Sequence, residues 1–422
     1  MMPTDALQRL QGAFLAFLFF YPMLMAWAWM AGGLVHALWF ERGHTHGVDP
    51  LADLAERPLV SVLIPCFNES SNVQHVIGQL LATEYPHVEV IAINDGSSDD
   101  TGPQLDALAR RHTRLRVLHH ARNQGKAVAL NTGTLLARSE FLMCIDGDAL
   151  LNPDAIGWLL RHLLDDPLTG AVTGNPRIRT RSTLLGRMQV GEFSSTIGLI
   201  KRTQQLLGSL FTVSGVITLF RRSAVLQAGL WSTDVLTEDI DMTWRLQLRG
   251  WRVRFEPRAL CWILMPETLG GLYKQRQRWA TGGMQTMMRY GPVALHPRHW
   301  RLWPVMAEYL TSVVWAYGVL FTLAGSIALA LWPGHQPGPQ LTSSAGLLLA
   351  LTCLLQLLVS LLVDRRYDQH LLRYYAWTLW YPLAFWLINL LTTTWALPQA
   401  LKRARGMRAT WTSPDRGFTR DN

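Results

Sequence analysis

Uncharged runs divide the chain into a polar centre and two apolar flanks. Residues 13–40 contain no Asp, Glu, Lys or Arg, and a helix of this length exceeds the roughly 20 residues that cross a bilayer. The run is also too long for a signal peptide, and no small-residue cleavage site precedes Glu41. The pattern therefore predicts one membrane-spanning helix before the polar centre.

The second flank contains two uncharged runs, 309–363 and 374–401. A stretch rich in Pro and Gly at 332–339 interrupts the first run, and a lipid-exposed helix would not tolerate it. The first run therefore predicts two spans joined by a short loop. The second run contains Pro382 and predicts a third span.

Basic residues near these runs indicate the orientation of the chain in the membrane. Arg365, Arg366 and Arg373 mark the loop before the last run as cytoplasmic, and the loop at 332–339 has no Lys or Arg. Both observations predict that the polar centre faces the cytoplasm. The basic tail that begins at Lys402 conflicts with three complete spans after the centre. Either the charge rule fails at the tail, or the last run is split, re-entrant or interfacial.

The polar centre alternates strand-like and helix-like segments. Apolar, β-branched runs at 59–65, 88–93 and 141–145 predict strands. Each is followed by a helical pattern, such as 73–81 after Asn72, a residue type that can cap a helix. This alternation predicts an α/β fold with a mostly parallel sheet and helices on both of its faces.

Acidic side chains follow these strands, and in open α/β sheets ligands bind beyond the carboxyl ends of the strands. Asp146 and Asp148 stand one residue apart after an apolar strand, so their carboxylates can converge on Mg²⁺ or Mn²⁺ and bridge it to phosphates, although such pairs also occur on solvated loops. Asp95 can accept hydrogen bonds from a nucleobase or ribose, but Asp beside Gly and Ser is equally typical of a plain turn.

Composition favours a membrane protein over a nucleic-acid-binding protein. The net charge of +9 indicates an acidic partner or an anionic lipid surface. However, the basic residues are scattered, 49% of the chain is hydrophobic, and it contains 18 Trp, a residue enriched at membrane interfaces. The 4 cysteines lie far apart without metal-ligand spacing, which predicts free thiols in a reducing compartment.

Two segments of the centre contain further candidate residues. Lys126 can meet a phosphate oxygen as a point charge, although a solvated lysine is the commoner case. Glu238 and Asp239 precede a helical pattern. Either they form the first turn of a helix capped by Thr237, where the helix dipole favours anions, or Asp239 is a general base within reach of an acceptor hydroxyl.

A basic segment follows the centre. Gln275, Arg278 and Trp279 share one helical face by their spacing of three and four residues. Arg278 can hold a diphosphate, and Trp279 can stack on a sugar ring. The alternative is a basic interfacial helix on lipid headgroups, to which Lys274 and Arg276 would contribute.

The order of these motifs resembles a known family. The motifs occupy residues 65–69, 94–98, 146–148, 237–239 and 275–279. In this order they resemble the processive, membrane-embedded inverting glycosyltransferases that include cellulose, chitin and hyaluronan synthases. The segments that also resemble bacterial β-1,6 poly-N-acetylglucosamine synthases of biofilm matrix are 173–181, 191–195 and 211–216.

The resemblance implies a role for each motif in a nucleotide-diphospho-sugar transferase (GT-A) domain. Asp239 would be the catalytic base, and Asp146 and Asp148 would hold Mg²⁺ or Mn²⁺. The residues implied in substrate binding are Pro65, Glu69 and Asp95 around the uridine, Lys126 and Asp146 near the diphosphate, Ser214 and Gly215 beside the acceptor sugar, Glu238 next to the base, and Gln275, Arg278 and Trp279 over the diphosphate and acceptor end.

The resemblance also implies a domain organisation. It consists of a spanning helix (1–45), a cytoplasmic GT-A domain (46–270), interfacial helices (271–303), about three spans (304–400) and a basic tail (401–422). Many relatives have two spans before the catalytic block, whereas this chain has one.

The implied activity is extension of a β-1,6-linked polymer in the bacterial inner membrane. The implied partners are UDP-N-acetylglucosamine, the growing polysaccharide, membrane lipid, a small membrane partner subunit and cyclic di-GMP, with no nucleic acid. Alternatives are the synthesis of another β-linked polymer such as hyaluronan, chitin or cellulose, a single addition to a lipid, and a non-catalytic membrane export scaffold or receptor.

Overall fold

A central mixed sheet organises the polar part of the chain. The computed structural model describes residues 4–41, 49–52, 57–332, 343–403, 406 and 409. The sheet has the order β3-β2-β1-β4-β7-β6-β8-β5. Its strands are β1 Val60–Cys66, β2 Val88–Asn94, β3 Leu115–His119, β4 Phe141–Ile145, β5 Leu150–Leu151, β6 Thr169–Ile178, β7 Ile217–Arg221 and β8 Arg252–Ile263.

The sheet confirms the predicted strands and their parallel pairing. β1 pairs in parallel with β2 and β4, and β2 pairs in parallel with β3. Four of the seven neighbouring pairs are parallel, since β6 and β8 are also parallel. β7 pairs antiparallel with both β4 and β6, and β5 pairs antiparallel with β8. β1, β2 and β4 are buried along their whole length, as expected for strands that are covered on both faces.

Helices cover both faces of this sheet. Along β1, Val62 and Ile64 join the core under α2 and α5, whereas Leu63 points to the core under α4 and α8, since side chains alternate along a strand. The helices of this part are α2 Val73–Leu81, α3 Thr101–Ala109, α4 Lys126–Leu136, α5 Ala155–Asp165, α6 Leu184–Phe193, α7 Ile200–Leu206, α8 Arg222–Ala228 and α9 Glu238–Leu248.

The predicted helix after the first strand begins at the predicted residue, but not through the predicted cap. α2 buries Val73, Val76, Ile77 and Leu80, the spacing of an amphipathic helix face. Asn72 occupies the cap position without a side-chain cap bond. Its amide instead donates to Glu69 Oε2 at 3.3 Å.

Long helices form the membrane flanks. They are α1 Thr4–Phe40, α10 Leu269–Ala294, a 3₁₀ segment Pro297–Leu302, α11 Trp303–Ala330, α12 Ser343–Asp364, a 3₁₀ segment Leu371–Trp380 and α13 Tyr381–Lys402. Among the described residues, three helical stretches are long and apolar enough to cross a membrane, namely Gln8–Phe40, Pro297–Ala330 and Ser344–Asp364.

The last apolar run differs from the expected third span. The structure divides it between the 3₁₀ segment and α13, and α13 is not among the three stretches that are apolar enough to cross. Among the outcomes left open for this run, a split segment agrees with this division. The loop expected near 332–339 falls outside the described residues from 333 on, and so does most of the basic tail.

A buried ion network joins the membrane helices to the sheet. The Arg202 guanidinium on α7 lies 2.7 Å from Glu41 Oε1, directly after α1, and 2.8 Å from Asp364 Oδ1 at the end of α12. Arg177 on β6 contacts the other oxygen of Asp364 at 2.9 Å. All four side chains are buried, so these contacts fix the sheet relative to α1 and α12.

Candidate active site

A compact cluster of charged side chains lies at the carboxyl ends of β1, β2 and β4. Lys126 begins α4, and its Nζ lies 2.6 Å from Asp146 Oδ1 and 3.1 Å from Glu238 Oε1. The same ammonium donates a 3.3 Å hydrogen bond to the carbonyl of Gly215. The structure therefore brings together residues from four of the segments singled out in the sequence.

Asp239 lies beside this cluster, half-buried, in the first turn of α9. The Gly215 amide donates to its Oδ2 at 3.3 Å, and the Ile240 amide donates to its Oδ1 at 2.9 Å. Burial and the neighbouring Glu238 carboxylate raise the pKa of Asp239 to about 6, against the opposing charges of Lys126 and Arg278. A carboxylate with a pKa just below neutrality suits a general base.

Glu238 has the opposite electrostatic behaviour. Although burial disfavours its charge, the Lys126 ammonium holds the pKa of Glu238 below its usual value. Burial likewise opposes the charge of Lys126, but Asp146 and Glu238 hold its pKa above the usual range. Glu238 thus remains ionised while Asp239 is close to its titration point. Thr237 occupies the cap position of α9 without a side-chain cap bond, so the predicted capping by its hydroxyl is wrong.

Gly215 brings the loop after α7 close to the charged cluster. A Cβ at this position would lie 3.2 Å from Lys126 Nζ and 3.3 Å from Asp239 Oδ2. A side chain here would therefore crowd the space in front of the base. The adjacent Ser214 is buried and accepts a 2.7 Å hydrogen bond from Lys201 Nζ.

Asp146 and Asp148 follow β4 directly, as predicted. Gly147 separates them where a Cβ would lie 3.0 Å from Glu69 Cγ, so the turn packs closely on the loop after β1. Within the described ranges, no group of three or more His, Cys, Asp or Glu side chains could hold a metal ion. Two hard carboxylates still fit a cation whose remaining ligands come from phosphates and water.

Asp95 has a structural role that the sequence did not indicate. Its carboxylate is fully buried and accepts from the amides of Gln124 and Gly125, at 3.0 and 2.8 Å, and lies 2.7 Å from His120 Nδ1. These contacts hold the loop that leads into α4 and therefore position Lys126. The expected contact of Asp95 with uridine stays a prediction.

The other two residues expected around uridine are also enclosed. Glu69 is fully buried in the loop that follows β1. Pro65 lies within β1 opposite Ile93 of β2. Pro65 lies near the carboxyl end of β1 and Glu69 just beyond it, at the edge of the sheet where a ligand is expected. Their contact with uridine stays a prediction.

α10 carries its motif along the side of the site. Arg278 is exposed and its charge acts on both Glu238 and Asp239, while Gln275 and Trp279 are half-buried. Arg276, expected on lipid headgroups in the alternative interpretation, is instead buried and lies 2.6 Å from Glu192 Oε2. That interpretation is wrong for Arg276, because this ion pair fastens α10 to α6.

One functional candidate was missed in the sequence, Lys201, and the role of Glu192 within the segment 191–195 was missed as well. Lys201 is buried against Ser214 and the Phe255 ring, and Glu192 is buried by Arg276, at a separation of 84 residues. A sequence pattern treats charged side chains as solvated, so it does not indicate these buried contacts.

Comparisons with known proteins agree with this geometry. The sequence model of the glycosyltransferase like family 2 matches residues 57–282. A poly-beta-1,6-N-acetyl-D-glucosamine synthase from Staphylococcus aureus (strain COL) is 39% identical over 96% of this chain and 99% of its own length. The synthase of that name from Staphylococcus epidermidis is 38% identical over 95% of this chain and 98% of its own length.

A solved structure shares the fold. A mannosyltransferase from Pyrobaculum calidifontis, in complex with GDP-Man and Mn²⁺, superposes with a TM-score of 0.61 at 22% identity and covers 90% of this chain and 97% of its own. This likeness identifies the GT-A fold. The chain therefore belongs to glycosyltransferase family 2, as a membrane enzyme that uses a nucleotide-sugar donor and is related to the poly-β-1,6-N-acetyl-D-glucosamine synthases.

Proposed function

We propose that this glycosyltransferase polymerises N-acetylglucosamine from UDP-N-acetylglucosamine into a β-1,6-linked chain and passes it through the membrane. The observation that carries the proposal is the half-buried Asp239 carboxylate beside the Gly215 amide, next to two cations suited to a diphosphate. The polymer assignment is supported by the similarity to the named synthases, which extends through both membrane flanks.

The chemical step is a single displacement at the anomeric carbon. The acceptor hydroxyl attacks this carbon and gives its proton to the Asp239 carboxylate, while the bond to the diphosphate breaks and UDP leaves. Attack from the face opposite the leaving group converts an α-linked donor into a β-linked product. Proton transfer to a positioned carboxylate contributes typically about 10²–10⁴-fold to such a rate.

The leaving diphosphate needs positive charge. Lys126 is already held at the cluster by Asp146 and Glu238, and the exposed Arg278 can approach the phosphates from α10. Asp146 and Asp148 would hold Mg²⁺ or Mn²⁺. A divalent cation bound there would neutralise the charge that develops on the departing diphosphate.

The remaining expected contacts belong to the donor and acceptor sides. Pro65, Glu69 and Asp95 lie at the strand ends assigned to uridine. On the acceptor side, Ser214 and Gly215 adjoin the base, and Trp279 offers an aromatic face for a sugar ring. Gln275 lies on the same helix, and its side-chain oxygen accepts from Arg276 at 3.2 Å.

The proposed location is the bacterial inner membrane with the catalytic block in the cytoplasm. Arg365, Arg366 and Arg373 support this orientation by the positive-inside rule. A small membrane partner subunit and control by cyclic di-GMP are proposals that rest on the family resemblance alone.

The product of the purified protein tests the proposal. The protein in lipid nanodiscs is supplied with radiolabelled UDP-N-acetylglucosamine and Mg²⁺ or Mn²⁺, and the polymer is digested with a β-1,6-glucosaminidase. We expect a polymer that this enzyme degrades, and none from Asp239→Asn or after chelation of divalent cations. The surface variant Asp165→Asn, with a mostly exposed side chain, is the matched control.

Other products would identify the alternatives. A polymer resistant to the glucosaminidase, or turnover only with another UDP-sugar, would indicate a different polysaccharide. A product limited to one sugar on a lipid would indicate a single-addition enzyme. Equal polymer yields from the wild type and Asp239→Asn would remove the assigned base.

A further inference from the structure

A buried lysine lies directly behind the acceptor side of the site. Lys201 on α7 is only 3% exposed, although it belongs to a helix that also packs against the membrane helix α1. Its Nζ donates a 2.7 Å hydrogen bond to Ser214 Oγ and lies 5.9 Å from the centre of the Phe255 ring. Neither the donor nor the base assignment uses this residue.

Lys201 supports one end of a turn whose other end contacts the base. Ser214 and Gly215 are consecutive, and the Gly215 amide donates to Asp239 Oδ2 while its carbonyl accepts from Lys126. The Ser214 amide in turn donates to Thr173 Oγ1 at 2.8 Å. The turn is therefore held by the sheet, by the base and by two lysines.

The choice of a lysine for this support is energetically costly. A neutral donor would satisfy the Ser214 hydroxyl, whereas a buried ammonium loses its hydration. Burial lowers the pKa of Lys201 to about 7, and the Asp239 carboxylate opposes this change. The lysine thus interacts with the charge of the base, in addition to its hydrogen bond.

We propose that Lys201 is a positioning residue, whose ammonium holds the Ser214–Gly215 turn against Asp239 and stabilises the carboxylate form of that base. The proposal rests on the proposed role of Asp239 as the base. Lys201 would add a positive charge behind the acceptor side. The positive charges that already act on Asp239 are Lys126 on α4 and Arg278 on α10, and the negative charge of Glu238 opposes them.

Three variants separate charge from hydrogen bonding. Lys201→Met removes both, Lys201→Gln keeps a donor without the charge, and Lys201→Arg keeps both. For each, kcat and the KM for the nucleotide sugar are measured between pH 5.5 and 9 in nanodiscs, with Lys402→Met, an exposed lysine at the end of α13, as the control.

The acid limb of the kcat profile is the decisive readout. Without the Lys201 charge, the carboxylate of Asp239 is less favoured, so its pKa rises and the limb moves to higher pH. We expect an upward shift of about one pH unit for both Lys201→Met and Lys201→Gln, the size expected when one opposite charge is lost. The donor KM stays constant, and Lys201→Arg and Lys402→Met retain the limb of the wild type.

A purely structural role gives a different result. In that case Lys201→Met lowers kcat by one factor at every pH, or Lys201→Gln behaves as the wild type, and either outcome overturns the proposal. The limb is read relative to the plateau of each variant, so a partial loss of folded protein does not affect it. If the wild type uses another nucleotide sugar, the proposed product is wrong, and the Lys201 comparison is made with that sugar.

Discussion

At the scale of single residues, the site is a pair of adjacent carboxylates with different protonation behaviour. Glu238 is held ionised by Lys126, whereas burial and Glu238 itself raise the pKa of Asp239 to about 6. Such a separation assigns the two roles, because the group that titrates near the working pH is the one that exchanges a proton.

This separation predicts the pH dependence of the enzyme. Asp239 must be ionised to accept a proton, so kcat falls as the pH is lowered through about 6. Glu238→Gln removes the neighbouring negative charge, which lowers the pKa of Asp239 and moves the acid limb to lower pH. The measurement is the release of UDP against pH for both proteins, each relative to its plateau. A wild-type limb near 4 would contradict the effect of burial.

The sequence located these residues but not all of their roles. Asp146 and Asp239 were predicted at the ends of secondary-structure elements, because local patterns fix where a strand ends and a helix begins. Asp95 was assigned to a ligand, yet its partners Gln124 and Gly125 lie about thirty residues further along the chain. Contacts across such separations depend on the packing of whole elements, and no local pattern encodes them.

At the scale of elements, the approach of α10 to α9 sets the geometry of the site. Gly282 on α10 faces Thr237, which precedes Glu238 and Asp239 in the chain. A Cβ at position 282 would lie 2.0 Å from Thr237 Oγ1. Such a distance requires one of the helices to move. The Gly at this position therefore permits Arg278 and Asp239 to occupy the same cluster.

We expect Gly282→Ala to displace α10 from α9. Because small displacements of catalytic groups are costly, kcat should fall by about 10²-fold, and the temperature of unfolding should also fall. The matched control is Gly270→Ala, at the start of the same helix, where a Cβ meets nothing within 4 Å. Full activity of Gly282→Ala would mean that the close approach does not matter for catalysis.

The ion network centred on Arg202 is the second element-scale feature. It joins α1, α7 and α12 through Glu41 and Asp364, and all three side chains are buried. Removing one member of a buried pair leaves an uncompensated charge, whereas an exposed pair contributes little. The network should therefore be sensitive to the loss of a single partner.

Arg202→Met should lower the free energy of unfolding by about 3–5 kcal/mol. The measurement is thermal unfolding of the detergent-solubilised protein, with Arg252→Met, which removes a half-exposed partner of Asp166, as the control. Adding Glu41→Gln to Arg202→Met should recover part of the loss, because it removes one of the stranded charges. Equal effects of Arg202→Met and Arg252→Met would exclude a special role for the network.

At the scale of the whole molecule, the elements that cross the membrane were only partly predictable. The uncharged runs 13–40 and 309–363 were long enough for their length alone to indicate spans. The run 374–401 was ambiguous. A helix that lies along the membrane surface can have the same composition as a membrane-spanning helix that contains several polar residues. Packing against other helices resolves such a case, and composition does not.

The packing of α13 places it alongside α10, and we expect that it does not cross the membrane. Phe385 clusters with Leu272 near the start of α10, and Ala400 clusters with Met284 further along it. The first residues of α13 also cluster with Leu357, about two turns before the end of α12.

The far end of α13 leads to the same conclusion. Ala400 belongs to a cluster against which Tyr309 packs, about two turns after the start of α11. α11 begins and α12 ends on the side of the catalytic block, so both ends of α13 lie near that side. This arrangement also removes the conflict with the basic residues Lys402 and Arg403, which then lie on the same side of the membrane as the catalytic block.

Cysteine labelling checks this topology. We expect a cysteine at Lys402 to react with a membrane-impermeant maleimide in inverted vesicles but not in spheroplasts, as a cysteine at Arg252 in the catalytic block does. A cysteine at Trp332, exposed at the end of α11, should react only in spheroplasts. The partly buried Cys353 is first replaced by Ser to remove background. If Lys402→Cys is instead labelled together with Trp332→Cys, α13 crosses the membrane, and its contacts with α10 cannot persist in the bilayer.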